Sequence, residues 1–300
     1  MATAPAPPSL QGMSASLPSA LRGLINNTQF SDVSFVVGEE RQVIHAHRCI
    51  LACRCPVFQK MFSHQLQTAL SPQVPFVLAD TTPAVFLAVI EFIYTNNVTL
   101  TRRIALEVLT SAVEYGLDEL RKLCVDYIGQ SLSVEMVCEA LQAAVTYGQT
   151  DLRQRCLVFI ERHPQEVVRT RSFRELSDLG MISILQSDRI SLDEVPLIHA
   201  VREWAHVSSA VLDVSVAEVA QDVVRELRLF LLSPEELTTL ERENAKDELI
   251  PEVQIAQSWK FHALKKVVGS EPQLFRRRRG TLPRDHHRYL DPPPKGGAER

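Results

Sequence analysis

Five side chains able to bind a metal lie close together in the sequence: His45, His47, Cys49, Cys53 and Cys55. Imidazole and thiolate groups are common ligands of zinc in proteins. Their spacing does not match a Cys-x-x-Cys pair with a distant partner pair, and a turn from a hairpin into a helix would point them in different directions. We therefore predict no metal site here and interpret these residues as reduced core and surface side chains.

Short motifs that carry catalytic chemistry are not found in the sequence. It contains no glycine-rich phosphate loop, no His-Glu-x-x-His helix and no Gly-x-Ser-x-Gly elbow. The longest apolar candidate, residues 84–94, includes Glu91 and is shorter than the roughly 18–20 residues that span a bilayer. We therefore expect a non-enzymatic protein that needs no cofactor and does not span a membrane.

Composition suggests two globular domains inside the cell. The chain has 300 residues, of which 45% are apolar and 23% charged, an ordinary globular balance. Residues 1–18 carry no charge and are rich in alanine, proline and serine, so they lack the basic start of a secretory signal and are predicted to form a disordered leader. The six cysteines mostly fall in apolar helical patterns, which is typical of reduced residues. The expected location is the cytoplasm, and also the nucleus if basic residues near the C-terminus act as a targeting signal.

The elements that must position these residues follow from apolar periodicity. Residues 33–37 alternate with period two and residues 43–44 follow a short turn, which predicts a β-hairpin. Apolar residues with helical spacing then begin at Pro56, a residue favoured at a first helical position. Residues 76–78 predict a third strand, and Pro83 begins a further apolar helix.

An internal repeat follows this segment. Residues 108–128 align without gaps on residues 140–160, with nine of 21 positions identical. Each copy reads as a helix, a turn at Gly116 or Gly148, and a second helix. The repeat predicts two helical hairpins, the first closing one domain and the second opening the next.

The residues around the predicted β-hairpin resemble the signature of the BTB/POZ domain, a dimerising protein-interaction module. The matching segments are Phe30-Ser31-Asp32-Val33, Ala46-His47-Arg48, Leu51-Ala52, Pro56-Val57-Phe58 and Met61-Phe62. This resemblance implies an α+β domain in which helices cover a small sheet. Cys55 stands where the family usually has serine, a change between two small side chains with little expected consequence.

Four later segments resemble the BACK domain, an all-helical module that directly follows many BTB domains. They are residues 173–177, 184–190, 201–204 and 229–237. The two resemblances together predict four regions: a disordered leader at 1–18, a BTB/POZ domain at 19–129, a BACK domain at 130–268 and a disordered basic tail at 269–300.

Two groups of site residues are implied by the BTB resemblance. In the family, the helix before the first strand packs against its copy in a second subunit, so a helix predicted at 19–27 supplies dimer-contact candidates, namely Leu21, Leu24 and Ile25. An equal alternative is that these side chains cover their own core. Asp32 and Arg48 match a charged partner-binding pocket of dimeric BTB domains, although we favour a structural ion pair that holds the strand to the helix.

A third group concerns cullin recruitment, which many BTB-BACK proteins achieve through a hydrophobic-x-Glu motif. The positions expected near a cullin scaffold are Met61, Phe62, Leu66, Thr68, Tyr94 and Thr95. The motif appears as Leu66-Gln67-Thr68, and no glutamate occurs between Glu40 and Glu91. Loss of one hydrogen bond to a charged group costs about 1.5–3 kcal/mol, so a tight complex would survive in weakened form and a marginal complex would be lost. Cullin recruitment is therefore a hypothesis that the resemblance alone does not decide.

These features predict a protein-binding function with two variants. The leading one is a dimeric substrate adaptor of a cullin-RING ubiquitin ligase, with an unknown client protein. The alternative is a BTB-BACK scaffold or co-regulator dimer with no cullin connection. The adjoining BACK domain favours the first variant, and the missing glutamate favours the second.

The basic tail suggests a separate hypothesis. Residues 276–279 are four arginines, and they precede Thr281 and Pro283 in a pattern that resembles a basophilic kinase site. Arg278, Thr281 and Pro283 also match the ligand pattern of 14-3-3 proteins, which bind phosphorylated peptides through arginine clusters. The alternatives are a nuclear-localisation patch or a solvated basic run. Nucleic-acid binding is not expected, because few aromatic residues are interleaved with the charges.

Overall fold

A computed structural model of the chain describes residues 16–67, 74–266 and 272–290. The chain divides into two compact units, Met1–Ser131 and Leu132–Arg300. The first unit combines a three-stranded sheet with helices, and the second contains helices and no strand among its described residues. The predicted fold class, an α+β unit followed by an all-α unit, is confirmed.

The sheet of the first unit has the strand order β2-β1-β3. Strand β1 (Val33–Val37) pairs antiparallel with β2 (Gln42–Ala46) and parallel with β3 (Phe76–Leu78). Side chains of β1 alternate between buried and half-buried, as a period-two pattern requires. Gly38, with φ of 72°, supplies the left-handed conformation that the tight hairpin turn needs.

Six helices accompany this sheet within the described residues. They are α1 (Ser16–Arg22), α2 (Arg48–Arg54), α3 (Pro56–Gln67), α4 (Pro83–Thr95), α5 (Ala105–Glu114) and α6 (Asp118–Gln130). An aromatic cluster joins the sheet to the helices, since the ring of Phe35 lies 5.8 Å from that of Phe58 and 4.9 Å from that of Phe86. Burial of these three rings fixes α3 and α4 on one face of the sheet.

The second unit is built from nine α-helices and four 3₁₀ helices within the described residues. The α-helices are α7 (Val137–Thr146), α8 (Thr150–Arg162), α9 (Pro164–Val167), α10 (Arg171–Arg174), α11 (Asp178–Leu185), α12 (Glu194–Leu212), α13 (Val216–Ala220), α14 (Pro234–Asp247) and α15 (Glu252–Leu264). The 3₁₀ helices are Val223–Glu226, Leu229–Leu231, Pro272–Phe275 and Asp285–Tyr289. Trp204 is buried in this unit and donates its indole N–H to the carbonyl of Leu176 at 2.7 Å.

The predicted repeat corresponds to two helical hairpins, α5 with α6 and α7 with α8. Gly116 and Gly148 occupy equivalent turns with φ of 66° and 63°, a left-handed conformation that side chains with a Cβ rarely adopt. Cys124 and Cys156 occupy equivalent buried positions. The repeat therefore conserves both the turn and the buried face of each hairpin.

All six cysteines are free thiols. Burial raises the pKa of Cys124, Cys138 and Cys156 to about 12, so these thiols remain protonated and unreactive at neutral pH. In the described parts of the chain, every helix is too short or too polar to cross a membrane.

The prediction of a disordered tail from residue 269 is wrong for residues 272–290. This segment, which we call the C-terminal strap, packs on the second unit and contains the two last 3₁₀ helices. Arg278 of the strap is 2% exposed, and its side chain reaches residues 84 to 93 positions earlier in the chain. The sequence predicted disorder here because the partners of Arg278 are distant in sequence.

Candidate functional site

Asp32 and Arg48 are brought together at the start of β1 and α2. The Asp32 carboxylate accepts a 2.7 Å hydrogen bond from the backbone N–H of Arg48, where a carboxylate is favoured by the helix dipole. Arg48 Nε donates back to the Asp32 carbonyl at 3.1 Å, and the guanidinium lies 4.8 Å from the ring centre of Phe62. These contacts hold the strand to the helix. The charged pocket stays a prediction.

Three of the residues expected near a cullin scaffold belong to the core. Phe62, Tyr94 and Thr95 are 5%, 4% and 2% exposed, so their side chains cannot contact a partner in this structure. These positions were expected near a scaffold from the family resemblance; their side chains pack within the unit, and a place near a partner stays a prediction. Met61 is half-buried, and Leu66 lies in the last turn of α3. Thr68 lies outside the described residues.

Tyr94 has a positioning role beneath this surface. Its hydroxyl accepts a 2.9 Å hydrogen bond from the backbone N–H of His47 and lies 2.9 Å from Nδ1 of the same histidine. Burial is the main cause that raises the pKa of Tyr94 to about 12, so the hydroxyl is protonated at neutral pH. The pair joins the C-terminal end of α4 to the start of α2.

The dimer-contact candidates sit on and after α1. The helix spans Ser16–Arg22, whereas residues 19–27 were predicted, because Gly23 is a poor helix former and Asn26 adopts a left-handed φ of 50°. The predicted contact residues are each half-buried in the single chain: Leu21, Leu24 and Ile25. Arg22 forms a 2.6 Å ion pair with Glu91 of α4. Partial burial leaves both the dimer contact and the core cover open.

Large apolar side chains that sequence reasoning did not select are exposed in the same region. Phe30 is 79% exposed and Leu17 is 66% exposed. Phe30 also has φ of 63°, a conformation that bulky residues rarely adopt. In the sequence, Phe30 was noted only as part of the Phe30-Ser31-Asp32-Val33 match. The structure shows that its ring is not packed in the core of its own chain.

The histidines and cysteines that raised the question of zinc have separate environments. His47 contacts Tyr94, and Cys55 Sγ donates to the carbonyl of Tyr115 at 3.3 Å. Cys49 and Cys53 are exposed. In the residues that the structure covers, no group of three or more potential ligands is arranged to hold a metal ion.

The C-terminal strap is anchored by a fully buried ion pair. Arg278 and Glu194 side chains are both 0% exposed, with Nε of the arginine 3.0 Å from Oε2 of the glutamate. The two Nη atoms of Arg278 donate to backbone carbonyls of Leu185, Ser187 and Glu226. All three guanidinium nitrogens are therefore paired, which is what the burial of a charged group requires.

The remaining atoms of Glu194 belong to the same network. Its Oε1 accepts a 2.6 Å hydrogen bond from the backbone N–H of Arg228. The side chain of Arg228 is 1% exposed, donates to the strap carbonyl of Arg276 at 2.9 Å and lies 2.7 Å from Asp188. Burial lowers the pKa of Arg228, and the neighbouring charge of Arg278 adds to this effect.

A second arginine anchors the strap six residues later. Arg284 forms ion pairs of 2.7 Å with both Asp193 and Glu236. Between the two anchors, Gly280 passes so close to the chain that an added Cβ would lie 2.1 Å from the backbone nitrogen of Leu192. Only glycine fits this position without a shift of the backbone.

Three histidines complete the contact between the strap and the second unit. Nε2 atoms of His286, His287 and His262 lie 3.1, 2.9 and 3.0 Å from three successive carbonyl oxygens, those of residues 230, 231 and 232. Because a carbonyl only accepts, each Nε2 carries the proton. Burial is the main cause that lowers the pKa of all three, that of His286 to about 4, so they are neutral at neutral pH.

The exposed 14-3-3 ligand predicted in this segment is not present while the strap is bound. Arg278, whose charge such a partner would require, is buried, and Thr281 Oγ1 is shielded from solvent. Pro283 is exposed. A nuclear-localisation patch built on residues 276–279 meets the same obstacle, because one of its four arginines is enclosed by the fold.

Comparisons with known proteins agree with this architecture. The BTB/POZ domain family matches residues 21–132, and the family described as BTB And C-terminal Kelch (BACK) matches residues 137–242. BTB/POZ domain-containing protein 19 of Bos taurus is 56% identical over 95% of this chain and 97% of its own, and the Homo sapiens protein of that name is 55% identical over 94% and 96%.

Two further similarities each cover part of this chain. BTB/POZ domain-containing protein 9 of Homo sapiens is 29% identical over 73% of this chain and 35% of its own length. The solved BTB domain of zebrafish PATZ1 aligns with 41% of this chain and all of that domain, at 24% identity and a TM-score of 0.33.

Proposed function

Because the chain belongs to the family of BTB/POZ proteins that carry a BACK domain, we propose that it is a substrate adaptor of a cullin-RING ubiquitin ligase. BTB and BACK domains are protein-interaction modules, which supports a non-catalytic role. The observation that supports this proposal best is the direct succession of the two domains in one chain, with matches that end at residue 132 and begin at residue 137.

The proposal includes a homodimer formed by the first unit. Support comes from the half-buried side chains of Leu21 in α1 and of Leu24 and Ile25 after it, and from the exposed ring of Phe30. A dimer would cover apolar surface that a single chain leaves in water. Light scattering should then return twice the 33.7 kDa mass of one chain, and a monomer at micromolar concentration would contradict the dimer.

The cullin contact is assigned to the surface around the C-terminal end of α3. Leu66 would supply the apolar anchor there, and Thr68 stands where a glutamate would add a charged hydrogen bond. The buried residues Phe62 and Tyr94 would act indirectly, by fixing α3 and the start of α2. The client protein would bind elsewhere on the chain.

Calorimetry of the full chain with the N-terminal domain of a cullin tests this proposal. We expect wild-type protein to bind and Thr68→Glu to bind about ten- to a hundredfold more tightly, because the restored carboxylate contributes about 1.5–3 kcal/mol. Thr68→Gln is the matched control, since it adds length without charge. Binding by Thr68→Glu alone would contradict cullin recruitment by the natural protein.

The second candidate function is a BTB-BACK scaffold or co-regulator dimer without a ligase connection. Thr68 in the motif position is the observation that favours it. This candidate would use the polar region around Asp32 and Arg48 as its partner surface. If this candidate is right, Asp32→Asn should weaken binding of the scaffold's partner. If the adaptor candidate is right, the same substitution should leave both the affinity for cullin and the adaptor function unchanged.

The proposed place of action is the cytoplasm, with the nucleus as the alternative if the strap is released and Arg278 joins the three exposed arginines beside it. Support comes from six free cysteines, which fit a reducing compartment. Imaging of the full chain beside a variant with Arg276 and Arg277 replaced by glutamine distinguishes the two locations.

A further inference from the structure

Thr281 occupies an unusual place in the strap. Its backbone N–H donates to the carbonyl of Arg278 at 3.0 Å, and the next N–H, of Leu282, donates to the carboxylate of Asp193 at 3.0 Å. The hydroxyl Oγ1 is shielded from solvent and has no hydrogen-bond partner among the described residues. The bound strap therefore encloses this hydroxyl without using it.

A phosphate on Thr281 would be incompatible with the bound strap. It would add nearly two negative charges and three oxygen acceptors. The anchoring cations nearby are already paired, Arg278 with Glu194 and Arg284 with Asp193 and Glu236. A dianion at this shielded position would lose its contact with water, and the adjacent backbone N–H of Leu282 is already paired with the Asp193 carboxylate, so phosphate would favour the released strap.

The sequence before Thr281 is suited to a kinase only when the strap is free. Residues 276–279 supply the basic side chains that basophilic kinases recognise as a charge pattern. In the bound strap, Arg278 is 0% exposed at its side chain. The segment thus contains a kinase recognition pattern, but in the bound strap it buries both Arg278 and the Thr281 hydroxyl that would receive the phosphate.

We propose that Thr281 is a phosphorylation site whose access is controlled by the strap itself. The bound strap is protected, and its release from the strap groove, the surface of Glu194, Asp193 and Leu192 that it contacts, exposes both the Arg278 side chain and the Thr281 hydroxyl. A basophilic kinase then transfers the γ-phosphoryl group of ATP to Oγ1, with the hydroxyl proton passing to a base of the kinase and ADP leaving. Phosphate and groove binding exclude each other, so modification holds the strap in its released state.

The released and phosphorylated strap would present Arg278, Thr281 and Pro283 together in an accessible chain. That is the pattern predicted from the sequence for a phosphopeptide ligand. The structure adds the condition that the pattern becomes available only after the buried ion pair with Glu194 opens. The inference does not depend on cullin binding.

The test compares rates of phosphorylation in the full chain. A basophilic kinase and ATP are added to wild-type protein, and phosphate on Thr281 is followed by mass spectrometry against a synthetic peptide of residues 272–290. We expect the peptide to be modified about tenfold faster or more, because it has no groove contacts to open. Equal rates, or an unmodified peptide, would overturn the proposal.

Two substitutions locate the control in the groove. Glu194→Gln removes the charge that anchors Arg278 but leaves the kinase pattern intact, so its rate should approach that of the peptide. Glu218→Gln, at an exposed position outside the strap groove, is the matched control and should retain the wild-type rate. Thr281→Val should abolish the phosphorylation signal, since it removes the hydroxyl that receives the phosphoryl group. It should leave the bound strap intact, because this hydroxyl makes no hydrogen bond among the described residues.

Hydrogen exchange gives a readout that does not depend on Glu194→Gln folding. The amides of Arg279 and Gly280 donate to carbonyls of Asp188 and Ile190 at 2.8 and 2.9 Å, so they should be protected in unmodified protein. Phosphorylated wild-type protein should lose this protection while α14 keeps its own. Retained protection of both strap amides after phosphorylation would show that phosphate and groove binding are compatible, and the proposal would be wrong.

Discussion

Arg278→Met tests whether the strap is a structural part of the second unit. The substitution keeps an unbranched side chain of similar length but removes the guanidinium. It abolishes one ion pair and the hydrogen bonds to three backbone carbonyls. Glu194, with a side chain 0% exposed, is left as a buried carboxylate whose cation has been removed.

The expected loss of stability follows from that uncompensated charge. Removing one partner of a buried ion pair costs about 3–5 kcal/mol, because the remaining charge stays desolvated. The free energy of unfolding falls by about 1–3 kcal/mol for each molar of urea, so the urea concentration at the unfolding midpoint of the second unit should decrease by roughly 1 M or more. The loss of stability cannot exceed the free energy that holds the strap in place, because a released strap lets water hydrate the Glu194 carboxylate.

Urea unfolding followed by circular dichroism measures this loss. Arg279→Met is the matched control, because it makes the same change one residue later at an exposed side chain and should alter stability by less than about 0.5 kcal/mol. Glu194→Gln combined with Arg278→Met should recover part of the loss, since the amide removes the buried charge while its oxygen can still accept from the backbone N–H of Arg228. If Arg278→Met and Arg279→Met were equally stable, the burial argument would be refuted.

Three further predictions concern other parts of the chain. Tyr94→Phe removes the hydroxyl that satisfies the buried backbone N–H of His47, so the first unit should lose about 1–3 kcal/mol in thermal or urea unfolding. Gly116→Ala and Gly148→Ala place a Cβ in open space at positive φ, so each should cost about 1–2 kcal/mol through backbone strain alone, and no loss would contradict the turn geometry. Burial lowers the pKa of His286 from 6.5 to about 4, so the unfolded chain binds the proton more readily and stability should fall as pH drops through this interval. His286→Gln should reduce that pH dependence of the melting temperature.

Local pattern in the sequence predicted most of the first unit. Period-two apolar residues located β1, and Gly116 with Gly148 marked the turns of the repeat. These signals work because strand and helix periodicity are properties of a few neighbouring residues. The parallel pairing of β3 with β1 was not predicted, because register between distant strands depends on contacts that no short segment contains.

Interpretation of surface residues was less successful. Tyr94 and Thr95 were placed near a scaffold by the family resemblance, and both are buried in this chain, so their contact with a partner stays a prediction. Apolar and aromatic residues on a helix mark a face that is covered, and periodicity does not distinguish the core of the same chain from a partner. Phe30 shows the opposite outcome, since a residue of the signature lies 79% exposed.

The sequence alone determined the two domain types, the hairpin and the repeat, because each depends on short-range spacing of residue types. Only the tertiary structure decided that Arg278 is buried and paired. Its partner Glu194 lies 84 residues away, and a charged run looks solvated until a distant carboxylate and carbonyl groups enclose it. Gly280 and His287 are the two residues in the sequence that could have indicated a packed segment. Each has this meaning only in the fold, because a Cβ on Gly280 would lie 2.1 Å from the backbone nitrogen of Leu192, and His287 bonds the carbonyl of Leu231, 56 residues earlier. Burial of charge is a property of the folded chain, since it requires partners that folding brings together.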